Sequence, residues 1–416
     1  MNSFAEKLSL LPEIIQPILK NTDMNIDIAI NIYERFMEVF SDCGMKEAAS
    51  EIKDEMEEME NTELNIAITG ETGSGKSSLI NALRGLKAED DGAAPVGVTE
   101  TTLNPKVYTH SNYPKVKFWD LPGIGSPDFS PESYLKMVDF PSYDFFIIVG
   151  SERFRSNDTG LAQAIQKMEK KCYFVRTKVD ADLYNMERSY PNTFNEEEVL
   201  EKMRNDLKKQ LKKCFRSTIP QVFLISSWDL AKYDFPRLVE TLEKDLHSLK
   251  KHAFLLSLPM FSPEVTEKKK SVLKSHIWKI SLVSACINAS SIPDNPLACD
   301  HPLACDASLL QRSMVDFYKI FELDGDSLTR LARLARKPVE ELKAVMKSPQ
   351  MEEITIDFVI KKILQYINTA KELFLSLVGR LVAASFSIIY LMLSRFVSNL
   401  AEDAERVLKK ALEPEP

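Results

Sequence analysis

The 416-residue chain has little glycine: 13 residues, where average usage would give roughly 29. Ten of the 13 fall between Gly70 and Gly160, and the rest are Gly44, Gly325 and Gly379. Glycine is needed where the backbone takes a positive φ or passes close to a ligand. The distribution predicts one loop-rich, site-bearing segment between glycine-poor helical arms. It excludes collagen-like, low-complexity and many-hairpin all-β chains. Cysteine is sparse as well. Six residues (Cys43, Cys172, Cys214, Cys286, Cys299 and Cys305) with no C-x-x-C spacing do not make a disulfide framework. Five scattered histidines contain no H-E-x-x-H pair, so no zinc site is expected. Positive charge is in deficit: 53 Lys and Arg against 61 Asp and Glu leave a net charge of -8. That balance argues against nucleic acid as a partner. No basic stretch followed by a long apolar run opens the chain. Asn2 stands where N-myristoylation requires glycine, and no C-a-a-X cysteine closes it. A reducing, cytoplasmic setting is the expectation.

What is present is ordinary globular material, 44% hydrophobic and 27% charged, long enough for a sizeable core. Residues 1–60 read as helical, with Ile26, Ile28, Ala29, Ile32, Phe36, Val39 and Phe40 near a helical period. Residues 61–250 alternate short apolar runs with helical patterns. The runs are Leu64–Thr69, Val116–Trp119, Phe145–Val149, Tyr173–Arg176 and Val222–Ile225. The helical stretches are Ser77–Leu83, Leu161–Lys171, Glu197–Phe215 and Phe235–Leu249. Such alternation predicts an α/β domain whose mostly parallel sheet carries helices on both faces. Residues 251–416 read as α-helical, and both terminal arms are expected to build one all-α domain.

The strongest motif is Gly70-Glu71-Thr72-Gly73-Ser74-Gly75-Lys76-Ser77, followed by Ser78. It fits G-x-x-x-x-G-K-S in the required setting, a strand before it and a helix after it. The glycines let the loop curl so that its N–H groups face phosphates, and the helix start favours anions. Lys76 is expected to reach the β- and γ-phosphates, and the Ser77 hydroxyl to ligate Mg²⁺. A second element, Asp120-Leu121-Pro122-Gly123, follows an apolar strand. Asp120 can hold Mg²⁺ through water, and the Gly123 N–H can face the γ-phosphate. A third, Thr177-Lys178-Val179-Asp180, follows the next strand and is a variant of N-K-x-D. The carboxylate of Asp180 can accept from the N1–H and N2 amine of guanine, a donor pair adenine lacks. Ser226 and Ser227 end the last strand, where a further loop can approach the base. GTP or GDP with Mg²⁺ is the expected ligand set, and a P-loop ATPase or kinase is the reading that Asp180 opposes.

These segments, Gly70–Asn81 with Gly92-Ala93-Ala94, Trp119–Gly125, Tyr143-Asp144-Phe145-Phe146 and Phe174–Asp180, resemble the immunity-related GTPases. That family is interferon-inducible and dynamin-like, and Gly75-Lys76-Ser77 matches its glycine-lysine-serine class. The resemblance covers residues 60–250 closely and implies a Ras-like P-loop GTPase domain beside the helical domain. It implies that two such domains pair face to face across their nucleotides. By this resemblance Thr102 ligates Mg²⁺, Glu100 positions water or Mg²⁺, and Arg153 contacts the partner. Small switches carry a water-positioning glutamine after D-x-x-G; here Ile124 stands there. A lone molecule is therefore expected to hydrolyse slowly, and a slow nucleotide-controlled scaffold stays open as an alternative. The implied partners are a second copy, related GTPases and a membrane surface, in cell-autonomous innate defence at pathogen-containing vacuoles.

Three segments bear on membranes and partners. Leu373–Leu393 is long enough to cross a bilayer, but Arg380, Ser376, Ser385, Ser387 and Tyr390 interrupt it. A buried helix is the better reading. Lys268, Lys269, Lys270, Lys274, His276 and Lys279 interleave with Val272, Leu273, Ile277 and Trp278. That pattern reads as a surface helix, with a basic membrane-lying helix as the sharper alternative. The near-repeat Pro296–Asp300 and Pro302–Asp306 reads as a surface loop.

Overall fold

The computed structural model describes residues 30, 34, 45–97, 104–123, 131–215, 219–290, 307–369 and 378–413. They fall in two compact units: one runs from Asn61 to Ser262, and the other joins residues up to Glu60 with those from Pro263 onward. In chain order, α1 (Met45–Asn61) leads into β1 (Leu64–Gly70), α2 (Lys76–Leu83), β2 (Lys106–Thr109), β3 (Val116–Asp120), α3 (Pro131–Met137), β4 (Phe145–Gly150) and α4 (Ser156–Lys167). Then follow β5 (Lys171–Arg176), α5 (Val179–Ser189), α6 (Glu196–Cys214), β6 (Val222–Leu224), α7 (Phe235–Asp245) and α8 (Ser248–Ser257).

The strands form one six-stranded sheet in the order β2-β3-β1-β4-β5-β6. All neighbours are parallel except β2, which runs antiparallel to β3. β4 is buried at every residue and β1 at nearly every one. Their continuous apolar runs are what a parallel sheet covered on both faces requires. On one face, Leu161 and Ile165 of α4 join Phe146 of β4 and Phe174 of β5 in the core. The chain leaves β1 toward β3 on one side and β4 on the other. That reversal opens a crevice beyond the C-terminal ends of the strands, where ligands bind in such sheets.

Several boundaries differ from expectation for local reasons. α4 begins at Ser156, five residues before the apolar period, because Asp158 accepts from the Arg155 N–H at 2.7 Å and closes the first turn. The expected helix Phe235–Leu249 is two, α7 and α8. Leu246 and His247 between them are extended. β2 carries no apolar run, because it is a four-residue edge strand with three exposed positions. α3 and α5 are two further helices that the apolar pattern does not mark; α5 buries only Val179 and Leu183.

The second unit contains α9 (Pro263–Ser290), α10 (Ala307–Ile320), α11 (Gly325–Ala335), α12 (Val339–Ala344), α13 (Ile356–Thr369) and α14 (Val378–Leu412). α14 packs along α9 and also meets α10, α11, α12 and α13. Its stretch Phe386–Leu393 is buried throughout, as the buried-helix reading of that region anticipates. Among the described residues no helix is long and apolar enough to cross a membrane. The near-repeat at 296–306 lies outside the described residues.

The basic run on α9 departs from expectation. Val272, Leu273, Ile277 and Ile280 are buried as the pattern implies, but Lys269 is buried with them, at 1% exposure. Its ammonium donates to the Ile320 carbonyl at 2.7 Å, capping the end of α10. Lys270 pairs with Glu267 at 2.9 Å, and Lys279 with Glu55 of α1 at 2.6 Å. Lys269 thus serves helix packing instead of facing water, whereas Lys268, Lys270, Lys274 and Lys279 remain partly exposed. Burial lowers the Lys269 pKa from 10.5 to about 8. Below pH 8 the group is charged folded and unfolded alike, and the desolvation cost is fully present. It is relieved as pH rises toward 10.5. Chemical denaturation of wild type and Lys269→Met between pH 7 and pH 10 should therefore show wild type gaining stability relative to the variant.

Candidate functional site

The site begins where β1 stops. Gly70 has a φ of 138°, and a Cβ there would lie 2.0 Å from the Val149 carbonyl oxygen on β4. Only glycine fits that passage. Beyond it the Ser74 N–H donates to the Glu71 carbonyl at 3.2 Å and tightens the loop. Gly75, with φ 90°, starts α2, and its carbonyl accepts from the Leu79 N–H. The first turn of α2, whose N–H groups have no partner in the helical ladder, and the positive end of its dipole favour an anion here. Lys76 is buried and lies along the loop, its Nζ donating to the Gly70 and Glu71 carbonyls at 3.0 Å each.

The β1–β3 register sets Asp120 opposite Ile68 and so delivers a carboxylate to the foot of the loop. Asp120 is 1% exposed, and its Oδ2 accepts from the Ser77 hydroxyl at 3.3 Å. A buried carboxylate beside a hydroxyl is an all-oxygen donor set, which suits Mg²⁺ completed by phosphate and water. Among the described residues no cluster of three or more His, Cys, Asp or Glu forms an all-protein metal cage. Ser78 follows on α2, half-buried, and Thr72 and Gly73 sit exposed at the loop crest.

β5 delivers the second loop. The Thr177 N–H donates to the Gly150 carbonyl at 2.9 Å, and its hydroxyl donates to the Ser74 carbonyl at 2.5 Å. Lys178, in the left-handed region with φ 60°, stretches its ammonium to the Gly73 carbonyl at 2.8 Å. Asp180 falls in the first turn of α5. The Ile225 N–H donates to the Arg176 carbonyl at 2.8 Å and carries the pairing one residue beyond β6, which brings Ser226 and Ser227 beside this loop. Asp180 Oδ1 and Ser227 Oγ are buried with no hydrogen-bond partner among the described residues.

Flanking groups that the motifs do not reveal hold this frame. Asn81 on α2 binds Ala94 twice, donating to its carbonyl at 2.8 Å and accepting from its N–H at 2.7 Å. Arg84 donates to the carbonyls of Gly92 and Thr109 at 2.9 and 3.0 Å. The nearest signal was Gly92-Ala93-Ala94 in the resemblance, which names the segment but not its clamps. Arg153 is exposed between β4 and α4, and Arg155 pairs with Glu71 at 3.1 Å. Gly123 is half-buried at the end of the Asp120 segment. Glu100, Thr102, Ile124 and Gly125 lie outside the described residues.

Asp158 sits by the phosphate loop with its pKa raised from 3.8 to about 6, chiefly by burial and secondarily by the Glu71 charge. Above pH 6 it is ionised folded and unfolded alike, and the cost of burying the charge is fully present. As pH falls from 6 toward 3.8 the folded state protonates first and the cost is relieved. Asn in its place keeps an acceptor for the Arg155 N–H without the charge. Asp158→Asn should raise the thermal midpoint at neutral pH by a few degrees, on the scale of about 2–4 °C per kcal/mol. Calorimetry should show the gain shrinking between pH 6 and pH 4.

Comparison with known proteins places the chain in a family. The family model described as interferon-inducible GTPase matches residues 30–411. Interferon-inducible GTPase 5 of Rattus norvegicus is 41% identical over 405 residues, covering 95% of this chain and 86% of that protein. Interferon-inducible GTPase 1 of Mus musculus is 40% identical over 370 residues, covering 87% and 86%. Interferon-gamma-inducible GTPase 10 of Mus musculus is 39% identical over 360 residues, covering 85% and 82%.

Proposed function

The chain belongs to the interferon-inducible GTPase family, and from that premise we propose that it couples GTP hydrolysis to self-assembly on intracellular membranes. It binds GTP and hydrolyses it to GDP and phosphate. The observation that carries guanine is the buried Asp180 Oδ1 with no donor in reach among the described residues. A desolvated carboxylate oxygen left so is costly. The N1–H and N2 amine of guanine supply the missing donors.

Phosphoryl transfer to water rests on positioning and charge stabilisation. The N–H groups at the loop crest and in the first turn of α2, with the Lys76 ammonium, hold the phosphates. Ser77, Asp120 and Thr102 would hold Mg²⁺, which would supply positive charge to offset that of the phosphates. The Gly123 N–H donates to the terminal phosphate. Ile124 has no polar group with which to orient water, so the completing groups come from a second molecule. Arg153 stands exposed for that contact, and Glu100 is assigned to the same task by the family resemblance. Paired molecules, or this chain with related GTPases, then assemble peripherally on the membrane of a pathogen-containing vacuole.

Two measurements test this reading. Asp180→Asn should weaken GTP binding and favour xanthosine triphosphate, because the amide can donate to the xanthine 2-oxo group. Unchanged base preference in competition titrations would remove Asp180 from the base site. GTPase rate should rise faster than linearly with enzyme concentration. A rate strictly first order over a wide range would leave the slow, nucleotide-controlled scaffold instead.

A further inference from the structure

The Asp120 segment leaves the sheet at a proline. The Leu121 N–H still donates to the Ile68 carbonyl at 2.9 Å, as the β1–β3 ladder requires. Pro122 has no N–H with which to continue. Beyond that point a different device joins the two segments. The Tyr134 hydroxyl, from α3, donates to the Pro122 carbonyl at 2.9 Å. It also lies 2.7 Å from the Thr69 Oγ1, at the end of β1. One phenolic proton serves one acceptor, so the Thr69 hydroxyl donates to Tyr134. Thr69 is fully buried and Tyr134 nearly so. Burial also pushes the phenol pKa up, so it remains a donor at any working pH.

The Pro122 carbonyl and the Gly123 N–H belong to one peptide group. In a trans peptide those two dipoles point in opposite directions across a rigid plane. A bond that fixes where the carbonyl points also fixes where the N–H points. Glycine on the far side leaves this plane free to rotate, since no Cβ opposes it. A reversed plane would present the carbonyl oxygen, with its negative partial charge, where the N–H had been. We propose that Tyr134 is a positioning residue. Its hydroxyl, supported by Thr69, sets the Pro122–Gly123 peptide so that the Gly123 N–H is held toward the terminal phosphate of GTP. The device rests on the GTPase reading above and deepens it, by making recognition of the third phosphate depend on α3.

The consequence is selective. GDP has no third phosphate, so its binding does not use the orientation of this peptide. Loss of one hydrogen bond to a buried carbonyl corresponds to roughly a five- to tenfold effect. Calorimetric titration of the full chain with GDP and with a non-hydrolysable GTP analogue reads it directly. Tyr134→Phe, which removes only the hydroxyl, should weaken the analogue five- to tenfold and leave GDP affinity within twofold of wild type. Thr69→Val should move the ratio in the same direction by less. Equal losses for both nucleotides mean a merely structural role and overturn the proposal, as does an unchanged ratio in both variants. A wild type that binds neither nucleotide overturns the GTPase reading itself, which separates that failure from this one.

Discussion

The bond from the Thr177 hydroxyl to the Ser74 carbonyl is the constraint on which the site depends. A nucleotide has a charged end and a flat, hydrogen-bonding end. The loops that recognise them come from strands β1 and β5, with β4 between. Two independent loops would each order on binding at an entropic cost. Here they are one object. Thr177 reaches Ser74, Lys178 reaches Gly73, and a Cβ on Gly75 would lie 3.1 Å from the Thr177 hydroxyl. Threonine in place of the asparagine of N-K-x-D keeps the bridge, because a hydroxyl can donate to that carbonyl over the shorter reach.

The two ends of the site are shaped by different means. At the phosphate end, Gly70, Gly73 and Gly75 all take positive φ. At the base end the left-handed turns fall on Lys178, with φ 60°, and Tyr233, with φ 57°. Neither is a residue that favours that region, so their conformations must be imposed by neighbours. The Lys178 bond to Gly73 is one such restraint. A site that discriminates purines benefits from this rigidity, since a misplaced carboxylate loses its discrimination against adenine.

What the sequence made legible follows from how locally each function is encoded. The phosphate loop, the Asp120 segment and the Thr177–Asp180 loop are contiguous and sit at strand ends, so spacing alone located them. Their supports are not contiguous. Asn81 grips a segment 13 residues away, and Tyr134 grips Thr69 across 65 residues. No periodicity marks such a contact. The parallel strands were readable because burial on both faces makes them continuous apolar runs. β2, exposed at three of four positions, carried no such signal. The α9 lysines misled for the opposite reason. Charge patterning assumes that a lysine faces water, and it cannot anticipate the carbonyls at the end of α10 that take Lys269 inside.

The placement of the glycines also bears on where this domain can move. The Thr177 hydroxyl clamp and the Asn81–Ala94 amide pair hold the loops of the frame, and strands buried on both faces cannot shift without exposing apolar surface. Backbone rotation is left chiefly to the glycine-bearing loops at the strand ends. Of these, the Pro122–Gly123 peptide has a proline that ends the ladder and a glycine that permits rotation. Its carbonyl is held by the Tyr134 hydroxyl, from a helix outside the sheet. A switch needs one joint that is free and one contact that biases it. That pairing lies at the end of β3, one residue beyond the last ladder bond, where a change at the phosphate can pass to α3 while the sheet stays as it is.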